Sequence, residues 1–238
     1  YGHQFRVNSV AWSADGRLAS GGDDKVFVWD LAKGKPDLTL TSDIIDEVKS
    51  LAWSVDGRLA SGLNNGTVII WDMVPDSPTF GQPVQAYDLE GGSVNSMEWS
   101  IDGRLATGLY GGTIIILEPD SNDVVEMYSL QNNEVFQGPI SSISWSPDGH
   151  LASSGLWANW IVIWDPITGR PTQILQDHTG YVSSLTWFTN EKLASGSSNS
   201  RIIVWDLTSG QISQIADGHS GIVTSLVWST DGKLASGG

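Results

Sequence analysis

One segment recurs six times along the 238 residues and leaves the chain little freedom in what it can fold into. It reads VNSVAWSADGRLASGG from Val7, VKSLAWSVDGRLASG from Val48 and VNSMEWSIDGRLATG from Val94. It returns as ISSISWSPDGHLASSG from Ile140, VSSLTWFTNEKLASGS from Val182 and VTSLVWSTDGKLASGG from Val223. Its tryptophans, Trp12, Trp53, Trp99, Trp145, Trp187 and Trp228, follow one another at intervals of 41, 46, 46, 42 and 41 residues. A second series closes on tryptophan–aspartate: KVFVWD (25–30), TVIIWD (67–72), WIVIWD (160–165) and RIIVWD (201–206), with the third copy decayed to TIIILEP (113–119). Self-similarity at such a period belongs to repeat architectures, in which no module buries its apolar face alone and neighbours must stack.

Each module reads as strands. VxSxxW alternates apolar and polar residues with period two. The Asp-Gly pair that follows is a hairpin signal, and LASG is a short second strand. VIIW is a nearly continuous apolar run, as expected of a strand covered on both faces. Weaker fourth strands follow at DLTLT (37–41), PVQAYDL (83–89), VVEMYSL (124–130), TQILQ (172–176) and QISQI (211–215). Long helical periodicity is absent. The expectation is an all-β chain of four-stranded antiparallel blades, forming a single domain over 1–238. The blades fall at about 7–43, 48–89, 94–130, 140–176 and 182–215, with a partial sixth at 223–238.

This pattern resembles the WD-repeat β-propeller family over essentially the whole chain. In that family a hydrogen-bonded tetrad joins a histidine, a strand serine or threonine, a turn aspartate and the third-strand tryptophan. The resemblance implies His3, Ser20, Asp24 and Trp29 in the first blade. It implies His178, Ser195, Asn199 and Trp205 in the fifth, where asparagine stands for aspartate. The second blade keeps Ser61, Asn65 and Trp71 without the histidine, the third keeps Thr107, and the fourth has Ser153, Asn159 and Trp164. The near-identity of the repeats is similar to prokaryotic WD-repeat proteins, whose propellers are often fused behind an NTPase or kinase module. No G-x-x-x-x-G-K-[ST] motif is present here. Five full blades and a partial sixth predict a fragment of a ring of about seven, the alternative being closure through a second copy of the chain. The start at Tyr1-Gly2-His3 reads the same way.

Charge narrows the partners. Lys and Arg total 12 against 27 Asp and Glu, a net charge of −15. Nucleic-acid affinity rests on basic residues that neutralise phosphates, so DNA, RNA and anionic membranes are disfavoured and a partner with a basic patch is favoured. Without cysteine there is no disulfide and no thiolate chemistry, and no apolar run approaches the ~20 residues that span a bilayer. A cytoplasmic location, no metal and no cofactor are expected.

Function in a scaffold of this kind sits on its loops. In the resembled fold one rim carries the second-to-third and fourth-to-first strand connections. Here it offers Leu63, Leu109, Tyr110, Leu156 and Trp157, joined by Glu47, Phe136 and Tyr181. Aromatic and leucine anchors edged by carboxylates suit a peptide with apolar side chains and a basic flank. The competing reading makes the leucines plugs of a channel mouth. The opposite rim carries Asp15, Asp56, Asp102, Asp148 and Asp231, read as turn formers. A non-catalytic protein or peptide scaffold or sensor is the expected function, with self-association through the incomplete last blade. The alternatives are a lectin-like binder stacking sugars on Trp157 and Tyr110, and a propeller hydrolase. The last has neither a G-x-S-x-G motif nor a nucleophile–base set among Asn8, Lys49, Asn95 and Ser141.

Overall fold

The computed structural model describes residues 2–23, 25–44, 46–121, 123–129 and 138–238. The secondary structure is all β. The first sheet is β1 (Val7–Trp12), β2 (Leu18–Gly22), β3 (Val26–Asp30) and β4 (Lys35–Leu40), hydrogen-bonded in chain order. The second is β5 (Val48–Trp53), β6 (Arg58–Leu63), β7 (Thr67–Asp72) and β8 (Pro83–Asp88), and the third β9 (Val94–Trp99), β10 (Leu105–Leu109), β11 (Thr113–Glu118) and β12 (Asp123–Ser129). The fourth is β13 (Ile140–Trp145), β14 (Leu151–Gly155), β15 (Trp160–Asp165) and β16 (Arg170–Gln176), and the fifth β17 (Val182–Thr189), β18 (Lys192–Ser197), β19 (Arg201–Asp206) and β20 (Gln211–Asp217). A sixth sheet holds two strands, β21 (Ser225–Trp228) and β22 (Leu234–Gly237). The described residues therefore form five four-stranded blades and a two-stranded sixth.

The first hairpin of every sheet but the fifth is tied by its own residues. Ser13, Ser54, Ser100, Ser146 and Ser229 each donate a side-chain O–H to the aspartate two residues on. The same oxygen accepts the backbone N–H four residues on. The glycine between has a φ of 83–92°, a left-handed conformation that glycine adopts without steric cost. The aspartates are turn formers, as read from the sequence.

The chain divides into two compact units, Tyr1–Gly111 with Ile115–Val125, and Gly112–Ile114 with Glu126–Gly238. In the first, an apolar core of Val26, Val28, Leu40, Val48, Leu51, Leu59, Ile69, Trp71 and neighbours fills the space between the first two sheets. A second core, including Val68, Ile70, Val94, Met97, Trp99 and Leu117, joins the second sheet to the third. In the second unit Ile161, Ile163, Val182, Leu185, Leu193 and Trp205 pack the fourth sheet on the fifth. Ile202, Val204, Val223 and Leu226 then pack the fifth on the sixth.

The glycine of LASG permits this approach. A Cβ on Gly21, Gly62 or Gly196 would stand 2.5, 2.5 or 2.6 Å from a methyl of Val48, Val94 or Val223 on the next sheet. No side chain fits there.

Innermost strands of successive sheets share no backbone ladder, yet within each unit they are stitched together. The register of β1, β5, β13 and β17 slips at the second residue, between Val7 and Ser9, Val48 and Ser50, Ile140 and Ser142, and Val182 and Ser184. Such a bulge re-aims a side chain. Asn8, Ser141 and Ser183 use it to donate to the carbonyls of Val48, Val182 and Val223 at 2.9, 2.6 and 2.5 Å. The next residue, Ser9, Ser142 or Ser184, accepts the N–H of Leu51, Leu185 or Leu226 at 3.0–3.1 Å. The tryptophan closing the strand donates back to the preceding sheet: Trp53 to Ala11, Trp99 to Ala52, Trp187 to Ser144 and Trp228 to Thr186, at 2.9–3.3 Å. In these modules the second, third and last letters of VxSxxW thus supply bonds across a sheet boundary.

Candidate functional site

Two sets of side chains were expected to matter: the buried polar centres and the loops at one end of the sheets. In the first sheet His3 Nε2 lies 2.8 Å from Ser20 Oγ, which also accepts the Trp29 indole N–H at 2.7 Å. The His3 ring stands edge-on to Phe27, with centroids 4.7 Å apart. Asp24, the fourth expected member, lies outside the described residues, as does Phe136 of the loop set.

In the fifth sheet His178 Nε2 is 2.7 Å from Ser195 Oγ, and Trp205 donates to the same oxygen at 2.8 Å. His178 is buried, and burial pushes its imidazole down to about 4, opposed by the Asn199 side chain and Asp177 and assisted by the Arg201 charge. Its Nδ1 has no hydrogen-bond partner among the described residues. The Asn199 amide instead donates to Thr179 Oγ1 at 3.0 Å and accepts the Arg201 backbone N–H at 3.3 Å. Asparagine therefore shapes the turn without replacing the ring acceptor that an aspartate would offer. Asn65 does the same, accepting the Thr67 N–H at 3.0 Å.

The indole–serine contact persists where the histidine is missing, in Trp71 to Ser61 and Trp164 to Ser153, both 2.8 Å. In the third sheet Leu117 takes the tryptophan's place, and Thr107 Oγ1 turns to the Ile115 carbonyl at 2.9 Å. In the sixth, His219 Nε2 meets Ser236 Oγ at 2.7 Å. These histidines hold strand hydroxyls. Among the described residues no three His, Asp or Glu side chains gather as metal ligands do.

The loop end divides the expected contact residues by burial. Trp157, in the turn between β14 and β15, is 72% exposed, and Tyr110, between β10 and β11, is 54% exposed. The Trp157 ring lies against the backbone of Gly138, where an added Cβ would come within 2.9 Å of its Cε3. Glycine there lets the indole rest on the main chain. Leu156 and Tyr181 are half-buried. The Val182 N–H, following Tyr181, donates to the Ala158 carbonyl at 3.2 Å and fixes the two loops to each other.

Two leucines correct the sequence reading. Leu63 and Leu109 are buried among core side chains. Each ends a second strand, where the inward pleat of its sheet carries it into the core rather than onto the rim. Trp160 is likewise buried.

Glu47 is half-buried, accepts from Asn8 Nδ2 at 2.9 Å and pairs with Lys49 Nζ at 2.7 Å. The Lys49 hydrogen bond, with that of Asn8, holds its carboxyl below the usual range. Glu47 thus binds within its own sheet boundary. The sequence reading passed over the stitching residues Ser9, Ser142 and Ser184. Their signal was the serine that returns at one position of the module without an internal partner.

A known family accounts for these features. The model of the WD domain, G-beta repeat, matches residues 1–30, 34–72, 128–165, 169–206 and 210–238. This chain belongs to the WD-repeat family. Unmatched residues 73–127 hold β9, β10, β11 and most of β12, the sheet whose third-strand tryptophan is missing. No curated protein matches the WD-repeat chain in sequence. Among solved structures it is similar to a chain in the crystal structure of a mitotic checkpoint complex. The TM-score is 0.86 and the identity 22%, over 100% of this chain and 73% of that one. At that identity the likeness concerns the fold, a WD-repeat propeller. Domains of this family generally serve as non-catalytic scaffolds that bind proteins. No helix among the described residues is long and apolar enough to cross a membrane.

Proposed function

We infer that this WD-repeat chain is a non-catalytic scaffold or sensor that holds a protein or peptide on its second-to-third strand loops. The observation that carries the reading is Trp157. An indole 72% exposed in a turn, braced by Gly138 below and by the Ala158–Val182 backbone bond beside it, is an aromatic anchor ordered before any partner arrives. Tryptophan leads among residues that dominate interface energies, and prior ordering reduces what binding must spend on immobilisation. Tyr110, followed by Gly111 and Gly112, offers another exposed ring in the first unit. The net charge of −15 favours a basic partner.

A peptide library panned on the wild-type chain and on Trp157→Ala tests this. Basic peptides with an apolar anchor should be enriched on the first and lost on the second, with folding unchanged. Enrichment that is indifferent to Trp157 removes the reading. Glycan binding that disappears in the same variant would transfer the site to the lectin-like alternative.

A further inference from the structure

The second sheet is the one place where a buried serine–tryptophan pair of the first unit lacks its imidazole, and the absence has left a space. In three sheets a histidine stands four residues before the first valine of the module: His3 before Val7, His178 before Val182 and His219 before Val223. In each its Nε2 reaches the second-strand serine at 2.7–2.8 Å. The corresponding position before Val48 is Ile44, which cannot make that bond and stays 38% exposed. A cavity of about 170 Å³ opens there. Ser61 and Trp71 lie in its wall with Leu40, Leu63 and Ile69, while Lys25, Ile44 and Asp46 also line it.

Size and chemistry agree on what would fit. A buried apolar cavity of ~150 Å³ is enough to hold benzene. This one, however, is not wholly apolar. Ser61 is 1% exposed, and among the described residues its hydroxyl partner is the Trp71 N–H, which occupies an oxygen lone pair and leaves the hydroxyl proton available. In the first and fifth sheets the equivalent serine faces a ring nitrogen. Asp46 supplies a carboxylate in the same wall, suited to the N–H that an azole carries on its other side.

We propose that the cavity between the first two sheets binds a five-membered aromatic nitrogen heterocycle, which takes the position that histidine fills in the neighbouring modules. The Ser61 hydroxyl donates to the bare ring nitrogen and Asp46 accepts from the ring N–H. The ring's edge packs on Ile69, which pairs with Ser61 as Phe27, the partner of the His3 ring, pairs with Ser20. The azole has two possible sources, a free small molecule and the histidine side chain of a partner. The site is independent of the role inferred for Trp157.

The test is a titration of ¹⁵N-labelled protein, purified without imidazole, at a pH where the free ring is neutral, following the indole N–H resonance of Trp71. Imidazole should shift it saturably with a dissociation constant on the order of millimolar, the range open to so small a ligand. Benzene should bind about tenfold more weakly or not at all. Ser61→Ala should weaken imidazole to the benzene level. Ile44→His, which restores the ring in cis, should abolish binding. N-acetylhistidine amide distinguishes the sources: binding comparable to imidazole assigns the site to a partner's side chain, and exclusion assigns it to a free azole. Absence of saturation, benzene binding as tightly as imidazole, or Ile44→His binding like wild type would each overturn the proposal. The benzene comparison on the unaltered protein decides even if a variant fails to fold.

Discussion

Tryptophan does two different jobs in this chain, separated by where its N–H points. Trp29, Trp71, Trp164 and Trp205 turn inward to a serine of their own sheet. Trp53, Trp99, Trp187 and Trp228 reach back to the preceding one. Arg17 and Arg58 lie over the rings of Trp53 and Trp99, 4.8 and 5.0 Å from their centroids, each worth ~0.5–1 kcal/mol at such a site. Trp99→Ala should therefore cost about 3–5 kcal/mol. Trp12, at the equivalent position of the first module but 59% exposed, should cost less than about 1 kcal/mol when truncated; denaturant unfolding of the two variants checks the contrast. His178 gives a pH signature. Its folded pKa, about 4, is below the 6.5 of an ordinary histidine, so the unfolded chain takes up the proton first. The stabilisation from burying a neutral ring is complete above pH 6.5 and fades as pH falls toward 4, by up to about 3 kcal/mol. In His178→Gln, which keeps a group able to bond Ser195, unfolding free energy should fall less steeply over that window than in wild type.

At the level of strands, the VxSxxW segment is both a strand and a joint. The slipped register frees its second residue to bond sideways, and the serine after it satisfies an N–H of the next sheet. Ser184→Ala would leave the buried Leu226 amide without its acceptor. The expected loss is about 1–3 kcal/mol, with faster hydrogen exchange at Leu226 than at amides held by the ladder of β17 and β18. Period-two alternation and Asp-Gly turns made the sheets legible in advance, because both are local properties. The joints were not legible, since a serine on a strand looks the same whether it faces water or a neighbour's backbone. Leu63 and Leu109 failed for a related reason: they sit beside turn residues in sequence, while burial is decided by the pleat and by the sheet packed against them. Trp157 was readable because nothing in the repeat calls for an indole there. The cavity beside Ser61 could not be read, for a missing histidine does not say whether other side chains have closed over the gap.

For the molecule as a whole, acidity sets the terms of association. With a net charge of −15, capture of a basic peptide should weaken as salt rises, mainly through slower association. Trp157→Ala should instead speed dissociation, leaving unfolding free energy within about 0.5 kcal/mol of wild type. Surface plasmon resonance at low and high ionic strength separates the two contributions. A more general consequence follows from the way one inner strand grips the next. The fifth module carries both halves of its fastening, serine hydroxyls offered forward at Ser183 and Ser184 and an indole offered back at Trp187. A copy inserted between two others would therefore meet compatible chemistry on both flanks. Lengthening or shortening the array by whole modules then requires no new interface, which gives such a chain a simple route to changing its size by duplication in register.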